Sequence, residues 1–278
     1  MTLDVLISTL GYDGIGRVVA MDLPKVHNVS YIVSWQLPDK SEFPGNVPAE
    51  LIREDVKVFQ LNNRGISINR NNAIVHSTAD ICLVADDDLT YTKQQLLSIM
   101  AAFERNPDYD IITFKYNGNG AKKYPMVAFD LKKPPSGYYV SEVEIAFRRS
   151  CCGGKLLFNE YFGPGRHLLQ ACEGAVFMHS ALSMGAKCRF EPITITRHDG
   201  ATTGNRSLTP GVLMAQGAYF SIVHPVTAFL RMPLFAWRNS RRGLTRFLPA
   251  VKHLLRGYIY GHRHFNSDGS LKRVPESA

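Results

Sequence analysis

Three adjacent carboxylates, Asp86-Asp87-Asp88, stop an apolar strand read over Ala79 to Ala85. Charges this close repel one another, so the cluster is costly unless a cation or hydrogen-bond donors compensate it. Hard oxygen ligands suit Mg²⁺ or Mn²⁺, which in turn bind phosphate oxygens. In open α/β sheets, ligands gather beyond the carboxyl ends of strands. The competing reading is a solvated acidic turn before a helix starting near Thr90, where acids favour the helix dipole. Just upstream lies Gly65-Ile66-Ser67-Ile68-Asn69-Arg70-Asn71-Asn72-Ala73-Ile74. A helix over Asn69 to Ser77, with Ser67 as N-cap, sets Arg70 near a helix N-terminus at the same sheet edge. A guanidinium there suits a phosphate or a base carbonyl. The plainer reading is an exposed helix arginine.

The elements that must position these groups follow from apolar runs and breakers. Leu3 to Thr9 reads as a first buried strand, followed by a Gly-rich turn and a helix to about Met21. Val29–Ser34, Val56–Leu61 and Asp110–Phe114 read as further strands, and Pro38 to Pro48 as loop. Tyr91 to Phe103 has helical period. Strands that are apolar throughout and alternate with helices imply a mostly parallel sheet covered on both faces. Beyond residue 115 Gly and Pro break the chain into short pieces, with a strand over Val140–Phe147, a helix over Glu173–Gly185 and a strand over Cys188–Thr196.

Composition narrows the classes. The 278 residues are 45% hydrophobic and 20% charged, which excludes disordered and collagen-like chains. Five cysteines without a Cys-x-x-Cys pair argue against a disulfide framework or a cysteine zinc site and for a reducing cytosol. The first residues have neither the basic start nor the apolar length of a signal peptide. Gly11-Tyr12-Asp13-Gly14-Ile15-Gly16 has the wrong spacing for a dinucleotide fingerprint and reads as turn glycines. Cys151-Cys152 reads as buried and inert.

Taken together, Ser67-Ile68-Asn69-Arg70-Asn71-Asn72-Ala73 followed by a strand and Asp86-Asp87-Asp88 resembles the family 2 glycosyltransferases of the GT-A fold, bacterial capsule and O-antigen type. Glu144 to Arg149, Phe158 to Gly165, Glu173 at a helix start and Glu191 to His198 follow in the same order. The resemblance spans roughly residues 3–204. It implies an α/β GT-A (nucleotide-diphospho-sugar transferase) domain over 1–205, with a nucleotide-sugar half about 1–115 and an acceptor half about 116–205. A helical C-terminal extension, 206–278, completes the chain.

The activity it implies is metal-dependent, inverting transfer of a sugar from a nucleoside-diphosphate sugar, UDP-linked by preference. The acceptor would be a saccharide or lipid-linked saccharide in bacterial surface polysaccharide synthesis. By position, Thr9 would lie against the base through backbone atoms, Arg70 would hold base or phosphates, and Asp86 would contact the ribose side. Asp88 would coordinate Mn²⁺ or Mg²⁺, and His198 would supply a further metal or diphosphate contact. Asp87 belongs to the nucleotide-sugar site without being a direct metal ligand. Glu173 would be the general base, although the family's second acid is absent here, where the chain reads Cys172-Glu173-Gly174. Glu142, Glu144 and Asp199 are alternatives for that role. Two other readings remain: a sugar-phosphate nucleotidyltransferase, disfavoured because Gly11 to Gly16 lacks lysine, and a non-catalytic nucleotide- or saccharide-binding domain.

The net charge of +8 is unevenly placed. Residues 1–200 hold 21 Lys and Arg against 22 Asp and Glu, whereas residues 201–278 hold 11 against 2, a balance of +9. Ser207 to Leu230 has no charged residue, but Pro210, Gln216, His224 and Pro225 make it a poor membrane span. Aromatics and leucines interleaved with arginine after it suit an anionic membrane surface, or equally packing onto the main domain. Nucleic acid is not expected as a partner, since no recognition motif accompanies the charge. The expected location is the cytoplasm, peripheral on the inner face of the cytoplasmic membrane.

Overall fold

The computed structural model describes residues 1–119, 121–198 and 208–272. They form two compact units: Met1–Leu157 with Gly185–Thr202, and Phe158–Met184 with Thr203–Ala278. The boundary expected at 205/206 lies outside the described residues. Phe158–Met184, expected in the first domain, clusters instead with the C-terminal helices.

The first unit is built on a nine-stranded sheet. Its strands are β1 (Leu3–Leu10), β2 (Val29–Gln36), β3 (Val56–Leu61), β4 (Ile81–Asp86), β5 (Leu89–Thr90), β6 (Ile111–Gly118), β7 (Phe129–Asp130), β8 (Ile145–Arg148) and β9 (Cys188–His198). The order is β3-β2-β1-β4-β8-β6-β9-β5, with β7 also paired to β9. β1 lies parallel to β2 and β4, β2 to β3, and β6 to β9. β8 runs antiparallel to both β4 and β6, so β4 and β6 share a direction. β5 and β7 are antiparallel to β9. The sheet is therefore mostly parallel, and strands such as β1 and β4 are buried nearly end to end.

Helices α1 (Gly11–Ala20), α2 (Ile66–His76) and α3 (Lys93–Arg105) cover the strands. α3 turns Leu96, Ile99, Met100 and Phe103 into the core at helical spacing. Burying one such side chain contributes about 1.5–3 kcal/mol.

Several local expectations change. Gly11 to Gly16 do not form a turn: α1 begins directly at Gly11. Gly14 is needed for close approach instead, because a Cβ there would collide with Thr9 Oγ1 and stand 3.0 Å from Asp87 Oδ2. α2 starts at Ile66, so Ser67 lies inside the helix, and the N-cap is Gly65 at φ 131°, a conformation side chains resist. α3 starts at Lys93, with Thr92 and Gln95 closing a reciprocal capping box. Asp86–Asp88 therefore lie before the short strand β5 and do not cap a helix. The strand expected over Val140–Phe147 divides into a 3₁₀ turn, Glu142–Glu144, and β8.

The second unit holds α4 (Glu173–Ser183), α5 (Pro210–Val223), α6 (Ala228–Arg241) and α7 (Phe247–His264). α4 ends at Ser183, short of the expected Gly185, which follows at φ 91° and stops the helix. α5 packs on α7 where Gly217 and Gly257 leave no room for a Cβ against the opposing backbone. Phe162, Leu169, Val176, Ala215, Ala218, Ile222 and Phe265 form one core cluster, and Leu213, Phe220, Met232 and Leu254 anchor another.

Candidate active site

Parallel pairing of β1 with β4 sets Ser8 opposite Asp86, so the ends of both strands and the start of α2 meet at one edge. There the three acids have different environments. Asp86 Oδ1 accepts from Arg70 Nη2 at 2.9 Å. Arg70 is 4% exposed, so the exposed-arginine reading fails: its guanidinium is fixed at the sheet edge beside Asp86.

Asp87 turns away from its neighbours. Its Oδ2 accepts from Thr9 Oγ1 at 2.6 Å, and Arg17 Nε and Nη2 donate to Oδ1 and Oδ2 at 3.0 Å each. The hydrogen bond to Asp87 is the main cause that raises the Arg17 pKa. All this engages Asp87 within the fold. Thr9 is buried, with its hydroxyl on Asp87 and its carbonyl accepting from Asn69 Nδ2 at 2.9 Å.

Asp88 faces β9. Its Oδ2 lies 3.1 Å from His198 Nε2, and the other ring nitrogen, Nδ1, lies 3.3 Å from the carbonyl oxygen of Asn119. β5 and β9 align these groups, since Leu89 pairs with His198. Asp88 Oδ1 is buried and has no hydrogen-bond partner among the described residues. Burial, above all, pushes the Asp88 carboxyl above its ordinary range; Asp86 and Asp87 add to this and His198 opposes it. An orphaned carboxylate oxygen next to an imidazole fits a divalent cation. Among the described residues no group of three or more His, Cys, Asp or Glu is arranged to hold a metal. Asp88 and His198 would thus supply a partial shell, in keeping with ions that complete their coordination from phosphate and water.

The remaining sequence expectations fall elsewhere. Glu173 belongs to the second unit, where it is the buried first residue of α4, following Cys172 at φ 68°. Asp199 lies outside the described residues. Glu144, an alternative base, is wholly buried and accepts from Lys122 Nζ, Tyr124 OH and Ser141 N at 2.9, 2.7 and 3.2 Å. Burial pushes its pKa up and pushes that of Lys122 down. Wholly buried and already engaged by three donors, this carboxylate is closed to an acceptor hydroxyl.

Sequence reasoning missed this Lys122–Glu144–Tyr124 network and the roles of Arg17 and Asn69. Tyr124 OH also accepts from Tyr116 N at 3.3 Å, and the Tyr116 ring stands edge-on to His198 with centroids 6.1 Å apart. Asn69 lay inside the motif already singled out. Lys122 and Tyr124 come from an irregular segment whose spacing carries no signal.

Residues 48–159 match the family model described as Glycosyl transferase family 2. This segment includes Arg70, the three aspartates and Glu144. Over this segment the chain is similar to the family 2 glycosyltransferases. No curated protein sequence matches the chain. Among solved structures, S. aureus TarS is similar at TM-score 0.57 and 16% identity, covering 85% of this chain. The chain spans 42% of the length of that TarS structure. TarS 1–349 in complex with UDP-GlcNAc matches at TM-score 0.57 and 16% identity, over 85% of this chain and 71% of its own. The complex of TarS 1–349 with UDP matches at TM-score 0.58 and 14% identity, over 100% and 98%. At this identity the likeness establishes the GT-A fold.

Proposed function

We propose that this glycosyltransferase is a metal-dependent, inverting enzyme that takes a sugar from a nucleoside-diphosphate sugar, UDP-linked by preference, and passes it to a saccharide or lipid-linked saccharide. The observation that carries the donor chemistry is Asp88: a carboxylate beyond a strand end, one oxygen buried and unpartnered among the described residues, the other beside His198. Similarity to TarS, whose structures include complexes with UDP and UDP-GlcNAc, supports UDP as the nucleotide.

Each residue has a distinct task in this reading. Asp88 and His198 would hold Mn²⁺ or Mg²⁺, which would supply positive charge for the diphosphate. The bound cation would neutralise charge that builds on the departing diphosphate. Arg70, fixed by Asp86, offers positive charge to base or phosphate, and Asp86 keeps enough exposure to reach a ribose hydroxyl. Thr9 and Asp87 act from behind: Thr9 closes the base side with backbone, and Asp87 ties β1 and α1 to the aspartate turn.

The acceptor hydroxyl must lose a proton as it attacks the anomeric carbon. A positioned carboxylate typically supplies ~10²–10⁴-fold. We assign this to Glu173, supported by the family resemblance and by the engagement of Glu144 elsewhere. Synthesis of a surface polysaccharide on the cytoplasmic side of the membrane is the setting this chemistry fits.

The test is product analysis with UDP-sugars, Mn²⁺ and a panel of saccharide acceptors. Release of UDP with a β-configured product from an α-linked donor is expected. Release of pyrophosphate, or a product with retained configuration, contradicts it. Glu173→Gln is expected to abolish transfer with UDP binding intact; normal turnover by that variant removes the base assignment.

A further inference from the structure

The last helices of the second unit are apolar on two opposite sides. In α6, Ala228, Met232, Ala236 and Asn239 face the interior. The opposite side carries Leu230, Leu234 and Trp237, which are 77%, 52% and 54% exposed. A water-facing helix side is ordinarily polar, and apolar residues on both sides mark a helix with a second apolar environment. α7 repeats the arrangement. Ala250, Leu254, Gly257 and Gly261 are buried, while Leu248, Leu255 and Ile259 are exposed, at spacings that place them along one outer stripe.

Charge then selects the partner. Residues 208–267 contain eight Lys and Arg and no Asp or Glu. Lys252, Arg256 and Arg263 follow the outer stripe of α7, and Arg231, Arg238, Arg241 and Arg242 edge or end α6. Arg241 lies over the Trp237 ring, 5.9 Å from its centroid. A second copy of this chain would bring like charge against like. An acidic protein would answer the arginines but not the separate apolar stripes on two helices. Neither helix is long and apolar enough to cross a membrane. Basic side chains flanking leucine and tryptophan on a helix surface match a bilayer, with apolar groups at the acyl boundary and cations at anionic headgroups.

We propose that the outer faces of α6 and α7 form a docking surface for an anionic lipid bilayer. Leu230, Leu234, Trp237, Leu248, Leu255 and Ile259 enter the interface, and the arginines pair with lipid phosphates. Peripheral attachment of this kind needs no spanning segment.

The two tryptophans make a direct test. Trp35 is fully buried, so a change in emission on vesicle binding reports Trp237. The whole chain is mixed with vesicles of phosphatidylcholine alone, or of phosphatidylcholine and phosphatidylglycerol in equal parts, and followed by flotation and fluorescence. Flotation and a blue shift with the anionic vesicles only, reversed by high salt, are expected. Arg238→Gln/Arg241→Gln should lower partitioning about fivefold per cation removed. Leu230→Gln/Leu234→Gln should abolish the blue shift with the melting temperature unchanged, because both side chains face out. Absence of binding, equal binding to both vesicles, or retention by duplex DNA in place of vesicles overturns the proposal. Transfer activity plays no part in this readout, so the outcome is independent of the donor assignment.

Discussion

Arg17 grips Asp87 with two parallel hydrogen bonds, Nε to Oδ1 and Nη2 to Oδ2, each 3.0 Å long. The middle acid of the triplet is thereby fastened to α1, while Asp86 meets Arg70 and Asp88 meets His198. Half of the Arg17 side chain is exposed, so the pair by itself contributes no more than about 1 kcal/mol to stability. Its larger effect is positional. Arg17→Ala should leave the melting temperature nearly unchanged and lower kcat/KM for the donor by ~10- to 100-fold. Equal kinetics in the variant and the wild type would show that the turn is held by other contacts.

Gly14 sits on the other side of the same contact. A methyl group there meets Thr9 Oγ1 and Asp87 Oδ2, so Gly14→Ala forces strand and helix apart. The expected cost is about 1–3 kcal/mol, read as a lower urea midpoint. Gly16, with open space around its would-be Cβ, is the control: Gly16→Ala should be neutral or stabilising.

Asp88 should separate stability from function. Its charge is disfavoured by burial and by two neighbouring acids, with His198 opposing them, and Oδ1 has no hydrogen-bond donor among the described residues. Asp88→Asn is expected to melt at or above the wild-type temperature while losing transfer. A marked drop in melting temperature would show that the carboxylate serves the fold.

Glu144 should behave in the opposite way. Removing it strands Lys122, which lies buried among Tyr124, Tyr138 and Tyr139. Glu144→Ala should cost about 3–5 kcal/mol, and Lys122→Met in the same chain should restore much of it. Calorimetric melting of the two variants checks this; an unaffected single variant contradicts it.

Much of the sheet was legible because buried strands and helix periods are local signals. β1, β3, β4 and α3 follow from apolar runs that the structure keeps to within a few residues. The order β4-β8-β6-β9 was not legible, because β8 inserts antiparallel between strands distant in sequence. At the site, the motif itself pointed to Arg70 and the aspartates, and the antiparallel β5–β9 pairing, which no spacing announces, brings His198 to Asp88. The burial of Arg70, the engagement of Thr9 and the Lys122–Glu144 pair come from tertiary packing alone.

Alkaline pH should weaken the fold. Burial pushes the Cys82 thiol up from 9.0 to about 11 and raises the phenols of Tyr31, Tyr91, Tyr124 and Tyr138. Each of these groups binds its proton more tightly folded than unfolded. Their contribution is therefore complete below the unfolded value of 9.0 for the thiol and is lost as pH climbs through about 11. The urea midpoint should fall steadily across that window; a flat or rising midpoint contradicts the burial of these groups.

The most direct test is titration calorimetry of UDP and UDP-sugars, UDP-GlcNAc among them, into the wild type and Asp88→Asn, with Mn²⁺ and with chelator. The wild type is expected to bind nucleotide tightly only when the cation is present, and Asp88→Asn to lose this cation-dependent gain. Binding that is equally tight with chelator, or unchanged in Asp88→Asn, would contradict it.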